Sequence, residues 1–413
     1  MNMQIDQDER AVLRELARQV AEHAARPINA ARERLWRDHN ALRPTRAAVL
    51  VSPEGGWRDC VRDEDLRCTG DPARSFERQL RQRLFRAERI GDDMPITANF
   101  DVGWLIDRGD YGVPVPHVRT EDLGSYHWQA PIRTPADTGK LRPRSIRVGH
   151  EATRLRLERA REALGDILNV RLHGWPVWTV GLTWDLVLLR GLDQVMLDLY
   201  DEPGLVHELM AFLRDEKDRE LDLYEREGVV PLNNGPDDMV GSGGLGCSDE
   251  LPAAGHAGAV RIGDVWGLAE SQEFVGVGPE QFAEFALPYQ LPLINRFGLA
   301  CYGCCEPLDR KFDVVLPAVP RLRRVSVSPW CDRAVAAEKL AGRYVYSWKP
   351  NPALVCAPKV DWAAVERSIR ETLRIASACR VEMVLKDTHT FCGDATRPGR
   401  WAQIALRAAE EGS

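Results

Sequence analysis

The sequence predicts an α/β fold in which parallel strands alternate with crossover helices, behind a helical N-terminal extension. Three observations predict it. Short β-branched runs alternate with helical stretches at least four times in the last third of the chain, and that alternation calls for a parallel sheet. Each of those late strands runs into a polar or thiol-bearing cluster. The length, 413 residues, suits two or three domains or one large barrel with an extension.

Residues 7–38 are rich in Arg, Ala, Glu and Leu, with Leu13, Leu16, Val20 and His23 on one helical face and Pro27 ending the first helix. Residues 46–51 read as a strand closed by Pro53, Gly55 and Gly56. Residues 74–90 form a helix with Phe76, Leu80, Leu84 and Phe85 on one stripe. From 91 to 150 the periodicity weakens into strands and long loops. A charged helix at 151–166 precedes a strand at 167–172, and helices follow at 183–198 and 203–227, the second opening on Asp201-Glu202-Pro203. Val260–Gly263 reads as a short strand and Pro279–Phe297 as one helix with Pro in its first turn. Strands are then expected at 300–302, 324–327, 344–347 and 381–385, and helices at 333–340, 362–378 and 400–411.

Composition is that of an ordinary globular protein, 44% apolar and 28% charged. The net charge of −7 argues against nucleic-acid binding, which needs a basic surface. The polar start lacks a charged-then-apolar leader and no apolar run is long enough to span a membrane. The expectation is a cytoplasmic protein with reduced thiols. Seven of the ten cysteines lie in the last 113 residues, which reads as metal or thiol chemistry more readily than as a disulfide framework.

The strand-end clusters are Cys301-Tyr-Gly-Cys-Cys-Glu306, Ser328-Pro-Trp-Cys-Asp332, Trp348-Lys349-Pro-Asn351 and Lys386-Asp387-Thr-His389-Thr-Phe-Cys392. In a closed parallel barrel all strand C-termini face one rim, so residues nearly 90 positions apart would converge. Thiols at such a rim suit zinc. Cys304 and Cys392 are the first two ligand candidates, with His389, Glu306, Cys305 or Glu270 as the third. On an extended strand, adjacent Cys304 and Cys305 would point to opposite sides. Trp330, Asp332, Lys349 and Asn351 are substrate-side candidates from the same clusters. The glycine-rich run 237–244 reads as a mobile substrate-side loop carrying Asp238, since its glycines allow positive φ and close approach. Trp266 could wall a pocket that Glu270 reaches into. His173 suits either the same rim or a hydrogen-bonded structural role.

The stretch 177–206, from Val-Trp-Thr-Val-Gly-Leu to Tyr-Asp-Glu-Pro-Gly-Leu-Val, resembles the uroporphyrinogen decarboxylase superfamily. The later order is similar too: a Cys-containing loop at 302–305, a Val-Ser-Val strand with an acidic residue at 325–332, Lys349-Pro-Asn351-Pro352-Ala-Leu, and Cys392-Gly393 before the last helix. The resemblance covers roughly residues 75–410. It implies a distorted (β/α)8 TIM barrel over 91–413, with 1–90 as the helical extension. It is closer to the zinc-dependent methyltransferase branch, which moves methyl groups between corrinoid proteins and thiols such as coenzyme M. That branch's His-x-Cys and distant Cys put Cys304 and Cys392 on zinc, but Tyr302 replaces the His, which leaves Glu306 or His389 as third ligand. Glu306, Asp387 and His389 are then the catalytic candidates, as proton carriers or ligand supports, and a corrinoid-binding protein is the implied partner beside a small-molecule substrate. The sequence leaves the oligomeric state open. The Arg-Gln-Ala-Gly-Arg segment of the decarboxylases is absent; Arg86-Ala-Glu-Arg89 is not equivalent. A zinc-free decarboxylase-like or tetrapyrrole-binding protein is the alternative, and a redox Cys301-x-x-Cys304 a second.

Overall fold

A computed structural model describes residues 4–119 and 126–412. Residues 1–3, the first of the polar start, and 120–125, within the loop-rich stretch, lie outside the described residues, as does 413. The chain is an α/β protein built on a parallel six-strand sheet with helices. Two helices come first, α1 (Gln7–Ala24) and α2 (Ile28–Asn40). Asp6 caps α1: its carboxylate accepts the Glu9 N–H at 2.8 Å, and Glu9 reaches back to the Asp6 N–H. Strand β1 (Ala48–Val51) and helix α3 (Ala73–Phe85) follow. Strand β2 (Asn99–Val102) and, after α4 (His150–Leu164), strand β3 (Asn169–Leu172) form a separate parallel pair. Helices α5 (Thr183–Arg190), α6 (Leu192–Asp201) and α7 (Pro203–Arg226) lead to β4 (Trp266–Ala269).

From there strand and helix alternate. Helices α8 (Pro279–Phe285) and α9 (Leu287–Ile294) precede β5 (Leu299–Tyr302); α10 (Phe312–Ala318) precedes β6 (Leu322–Val327). Helix α11 (Arg333–Leu340) precedes β7 (Val345–Trp348), α12 (Trp362–Ile375) precedes β8 (Arg380–Leu385), and α13 (Arg397–Glu411) ends the fold. The sheet order is β1-β8-β7-β6-β5-β4, every pair parallel. All strand C-termini therefore lie along one side, where the strand-end clusters gather.

Both sheet edges are covered rather than open to pairing. Beyond β1, Asp93 donates its N–H to Val49 O and accepts the Val49 N–H, while Asp92 accepts the Val51 N–H. Beyond β4, the Asn233 amide exchanges both hydrogen bonds with the Trp266 backbone, and Val180 N–H reaches Leu268 O.

Period two divides the sheet's faces. Val325, Val327, Tyr346, Trp348, Val381, Met383 and Leu385 enter the main apolar core. The opposite face carries Cys301, Arg324, Ser347, Glu382 and Lys349, all buried. Leu13, Leu16 and Val20 of α1 pack with Phe76 and Leu80 of α3, and with Phe100, Leu157 and Val170 around the β2–β3 pair. The expected extension, 1–90, thus shares its core with later elements, and its β1 pairs with β8 inside the sheet.

Several elements differ from the expectation. Val260–Gly263 is not a strand; Ile262–Asp264 is a 3-10 turn closed by the Asp264 carboxylate on the Arg261 N–H, and the strand starts at Trp266. The helix expected over 279–297 breaks at Ala286, because Pro288 has no N–H to continue the ladder. The helix expected over 183–198 breaks at Gly191, whose φ of +88° suits glycine. Among the described residues no helix is long and apolar enough to cross a membrane.

One packing contact fixes α13. Gly399 lies so close to the turn before β2 that a Cβ there would sit 1.9 Å from Arg89 O. Gly399→Ala is expected to lower the unfolding free energy by about 1–3 kcal/mol, the usual cost of overpacking, read as a lower denaturant midpoint.

Candidate functional site

A cavity of about 410 Å³ opens at the C-terminal side of the sheet, lined among others by Glu54, Met239, Ser242, Cys304, Lys386 and Asp387. The chain reaches it from β5 through Gly303, whose φ is +87°. After that turn the backbone is held from behind. The buried Glu306 carboxylate accepts the Ser271 and Cys304 N–H groups, both at 2.9 Å, and the Ser326 hydroxyl donates to Cys304 O at 2.8 Å. Burial pushes the Glu306 carboxyl up. It ties the ends of β4 and β5 together and is a positioning residue.

The hairpin of Met239–Val240 and Gly244–Leu245 folds over the sheet's polar face. Its glycines are required by space: a Cβ at Gly241, where φ is +61°, would meet Cys301 Sγ at 2.7 Å. This close approach brings the Ser242 hydroxyl to Cys304, where it donates to Sγ at 3.2 Å.

Cys304 Sγ also lies 3.6 Å from Cys305 Sγ and 3.9 Å from Lys386 Nζ. The Cys305 S–H, then Lys386 and Ser242, bring the Cys304 thiol down to about 7 against the opposing effect of burial. Cys305 moves the other way, pushed up by the Cys304 thiolate, by burial and by Asp387, whose Oδ2 lies 3.6 Å from its Sγ. Burial lowers Lys386, but Cys304, Asp387 (Nζ–Oδ1 2.7 Å) and Glu54 outweigh it and hold the ammonium charged. Glu54 in turn accepts the Asp387 N–H at 2.9 Å, and burial raises its carboxyl. The result is one activated thiolate beside one protonated thiol, in a cavity half walled by protein.

The structure brings together Cys304, Cys305 and Asp387 from the expected set. Both thiols line the same cavity, contrary to the extended-strand expectation, because β5 ends at Tyr302 and Gly303 turns the chain. Cys392 is exposed, its thiol on Cys356 O at 3.2 Å, and His389 is exposed beside Gly55; neither lines the cavity. Glu270 is fully buried against Gly181; its Oε2 accepts the Gln272 N–H, its Oε1 has no partner, and burial with Glu306 nearby keeps its carboxyl well above the usual range. Tyr302, where the resembling branch has a zinc-binding His, is buried and donates to Gln290 Oε1 at 2.6 Å.

The substrate-side candidates disperse. Trp266 is a buried strand residue donating to Gly246 O, with Arg324 over its ring. Asp332 caps α11 through the Ala334 and Val335 N–H groups, and Asn351 accepts the Ala353 N–H. Trp330 is 67% exposed. Asp238 pairs with His173 at 2.6 Å, which makes that histidine a hydrogen-bonded structural one. Lys349 is buried on Ser347, and burial lowers its ammonium to about 8.

The zinc set fails on its donors. Among the described residues no group of three or more His, Cys, Asp and Glu side chains is arranged to hold a metal ion. A lysine ammonium, rather than a third donor, faces the Cys304 thiolate. The Cys301-x-x-Cys304 motif does not assemble either: Cys301 is buried against Arg324, and no helix begins until Phe312. Sequence reasoning gives Ser242 and Lys386 no role, although a lysine directly after a buried strand, in phase with its inward residues, is a signal in itself. No family model matches the chain, and no curated protein matches it.

Proposed function

We propose that the chain is a thiolate-dependent group-transfer enzyme, a methyltransferase-like protein on a distorted (β/α)8 barrel. The six-strand sheet and the parallel β2–β3 pair supply six plus two strands, with the covered edges of β1 and β4 at the gap. Active sites of such barrels lie at strand C-termini, and the cavity lies there. The observation that carries the reading is Cys304 Sγ on the wall of that cavity, 3.2 Å from the Ser242 hydroxyl, 3.6 Å from Cys305 Sγ and 3.9 Å from the Lys386 ammonium.

In the first half-reaction the thiolate attacks a methyl carbon opposite its leaving group. The S–C bond forms as the bond to the leaving group breaks, and the leaving group keeps the electron pair. A methyl-corrinoid presented by a partner protein, or a small methyl donor, fits the half-exposed mouth at Trp178 and Met239. A second nucleophile entering the same cavity then takes the methyl group: its bond to carbon forms as the Cys304 S–C bond breaks, and Sγ keeps the electron pair as a thiolate beside the Lys386 ammonium. No step runs through zinc. A polycarboxylate decarboxylation is less well served: Lys386 is the cation among the described cavity-lining residues, and it is already paired with Asp387.

The test is incubation with methylcobalamin, followed by peptide mass spectrometry. The expected product carries one methyl group on Cys304, formed faster as pH rises through about 7. Cys304→Ser should give none. An unmethylated Cys304 in folded protein, across that pH range, would sink the reading.

A further inference from the structure

Cys304 and Cys305 form a feature that transfer chemistry at a single thiolate does not use. Their sulfurs are 3.6 Å apart. Two sulfur bonds of about 2.3 Å to one centre hold the sulfurs about 3.4 Å apart at a pyramidal angle of about 95° and about 3.8 Å apart at a tetrahedral one, so the pair already stands within the bite of a chelate. Both thiols line one cavity. All ten cysteines are free, and no other thiol pair among the described residues has its sulfurs in hydrogen-bonding contact; Cys392, near Cys356, donates to that residue's carbonyl instead.

The surroundings select the ligand. Lys386 Nζ, 3.9 Å from Cys304, would repel an added divalent cation, and no third side chain stands ready to complete a cation's coordination. A neutral soft centre that two thiolates satisfy meets neither objection. Trp178 and Met239 give the cavity an apolar wall for an organic substituent.

We propose that Cys304 and Cys305 are a bidentate binding site for a neutral trivalent arsenical carrying one organic group. Two As–S bonds form as the arsenic–oxygen bonding of R–As=O is lost. The Cys305 proton and one proton from solvent leave with that oxygen as water, since Cys304 enters as the thiolate, and arsenic keeps its oxidation state. Cys304 bonds first as the better nucleophile. Cys305 follows, its proton passing to Asp387, whose Oδ2 lies 3.6 Å from its sulfur. The site does not depend on methyl transfer: a protein that binds the arsenical and is never methylated loses the earlier reading and keeps this one.

The experiment is titration of the full chain with phenylarsine oxide. Intact-protein mass spectrometry should show one adduct per chain, and both cysteines should be protected from iodoacetamide. An excess of a monothiol should leave the adduct in place, and 2,3-dimercaptopropanol should remove it. Cys305→Ser, which keeps the Cys304 nucleophile, should weaken binding by about a hundredfold, the scale at which a second tethered contact is lost. Cys392→Ser should bind like the wild type. Removal of the wild-type adduct by a monothiol, unchanged binding by a folded Cys305→Ser variant, or loss of binding in Cys392→Ser would each overturn the proposal. So would protection of both thiols by zinc chloride alone, since Lys386 would then not exclude a dication.

Discussion

Lys386→Met moves the pH midpoint of Cys304 alkylation from about 7 to about 8.5 or above, the range of an unassisted thiol. The ammonium stands 3.9 Å from Sγ and also balances Asp387 and Glu54. Its removal takes away the attraction and leaves Asp387 and Glu54 in the same cavity wall without their cation. Both effects favour the protonated thiol. At pH 7 the thiolate fraction then falls from about one half to a few per cent. A more basic thiolate is intrinsically more nucleophilic, with a Brønsted slope of about 0.45, so the net loss in rate at pH 7 is about threefold. The same slope makes the variant about fivefold faster at pH 10. Iodoacetamide rates measured from pH 5 to 10 should therefore cross. Parallel curves would mean that Lys386 has no part in the ionisation, and that Cys305 and Ser242 suffice.

How much of this could be read from the chain follows from range. The alternation that marks β5 to β8 and their helices is local, and so is the order of clusters at the strand ends. Convergence on one rim follows from parallel topology, and it correctly places Cys304 and Asp387 together. Local rules mislead where the chain turns. The alternation of side chains separates Cys304 from Cys305 only while the strand continues, and Gly303 stops it. Rim logic groups Cys392 with Cys304, yet the segment after β8 runs outward, held by Asp59 on the Phe391 N–H and the Thr390 hydroxyl. That contact joins residues more than 300 positions apart, and no periodicity reveals it. Ser242 is similar: the glycine run announces a close approach, but what it approaches is set by the fold. His39 on α2 is the same: nothing in the helical spacing marks it, yet it lies 3.3 Å from Glu382 inside the protein.

Glu382→Leu is expected to cost about 3–5 kcal/mol of stability, the loss seen when one member of a buried ion pair is removed. Glu382 is fully buried on the polar face of the sheet, with Arg324 Nε 3.0 Å from its Oε1 and His39 Nε2 3.3 Å from its Oε2. The Ser347 hydroxyl donates to it, and Lys349 sits on that serine. Leucine matches the volume but leaves the Arg324 guanidinium with Asn40 Oδ1, Leu245 O and the Cys301 sulfur as partners, and no carboxylate among them. Lys349 would lose the nearest charge that opposes its burial. The pH dependence has a definite sign. Burial raises the Glu382 carboxyl, but Arg324, His39 and Lys349 outweigh it and hold it well below the usual carboxylate range. A depressed folded-state value means the contribution is complete above the unfolded value, about 4.3, and is lost as pH falls below it. Urea midpoints should therefore differ most between wild type and variant near pH 7 and draw together as the solution is acidified below about 4. A constant gap across that range would assign the loss to packing instead. Because Lys349 and the end of β8 underlie Lys386, the variant should also loosen the cavity. Its Cys304 alkylation should lose the midpoint near 7 in folded protein, which ties the charged floor of the sheet to the ionisation of the thiol above it.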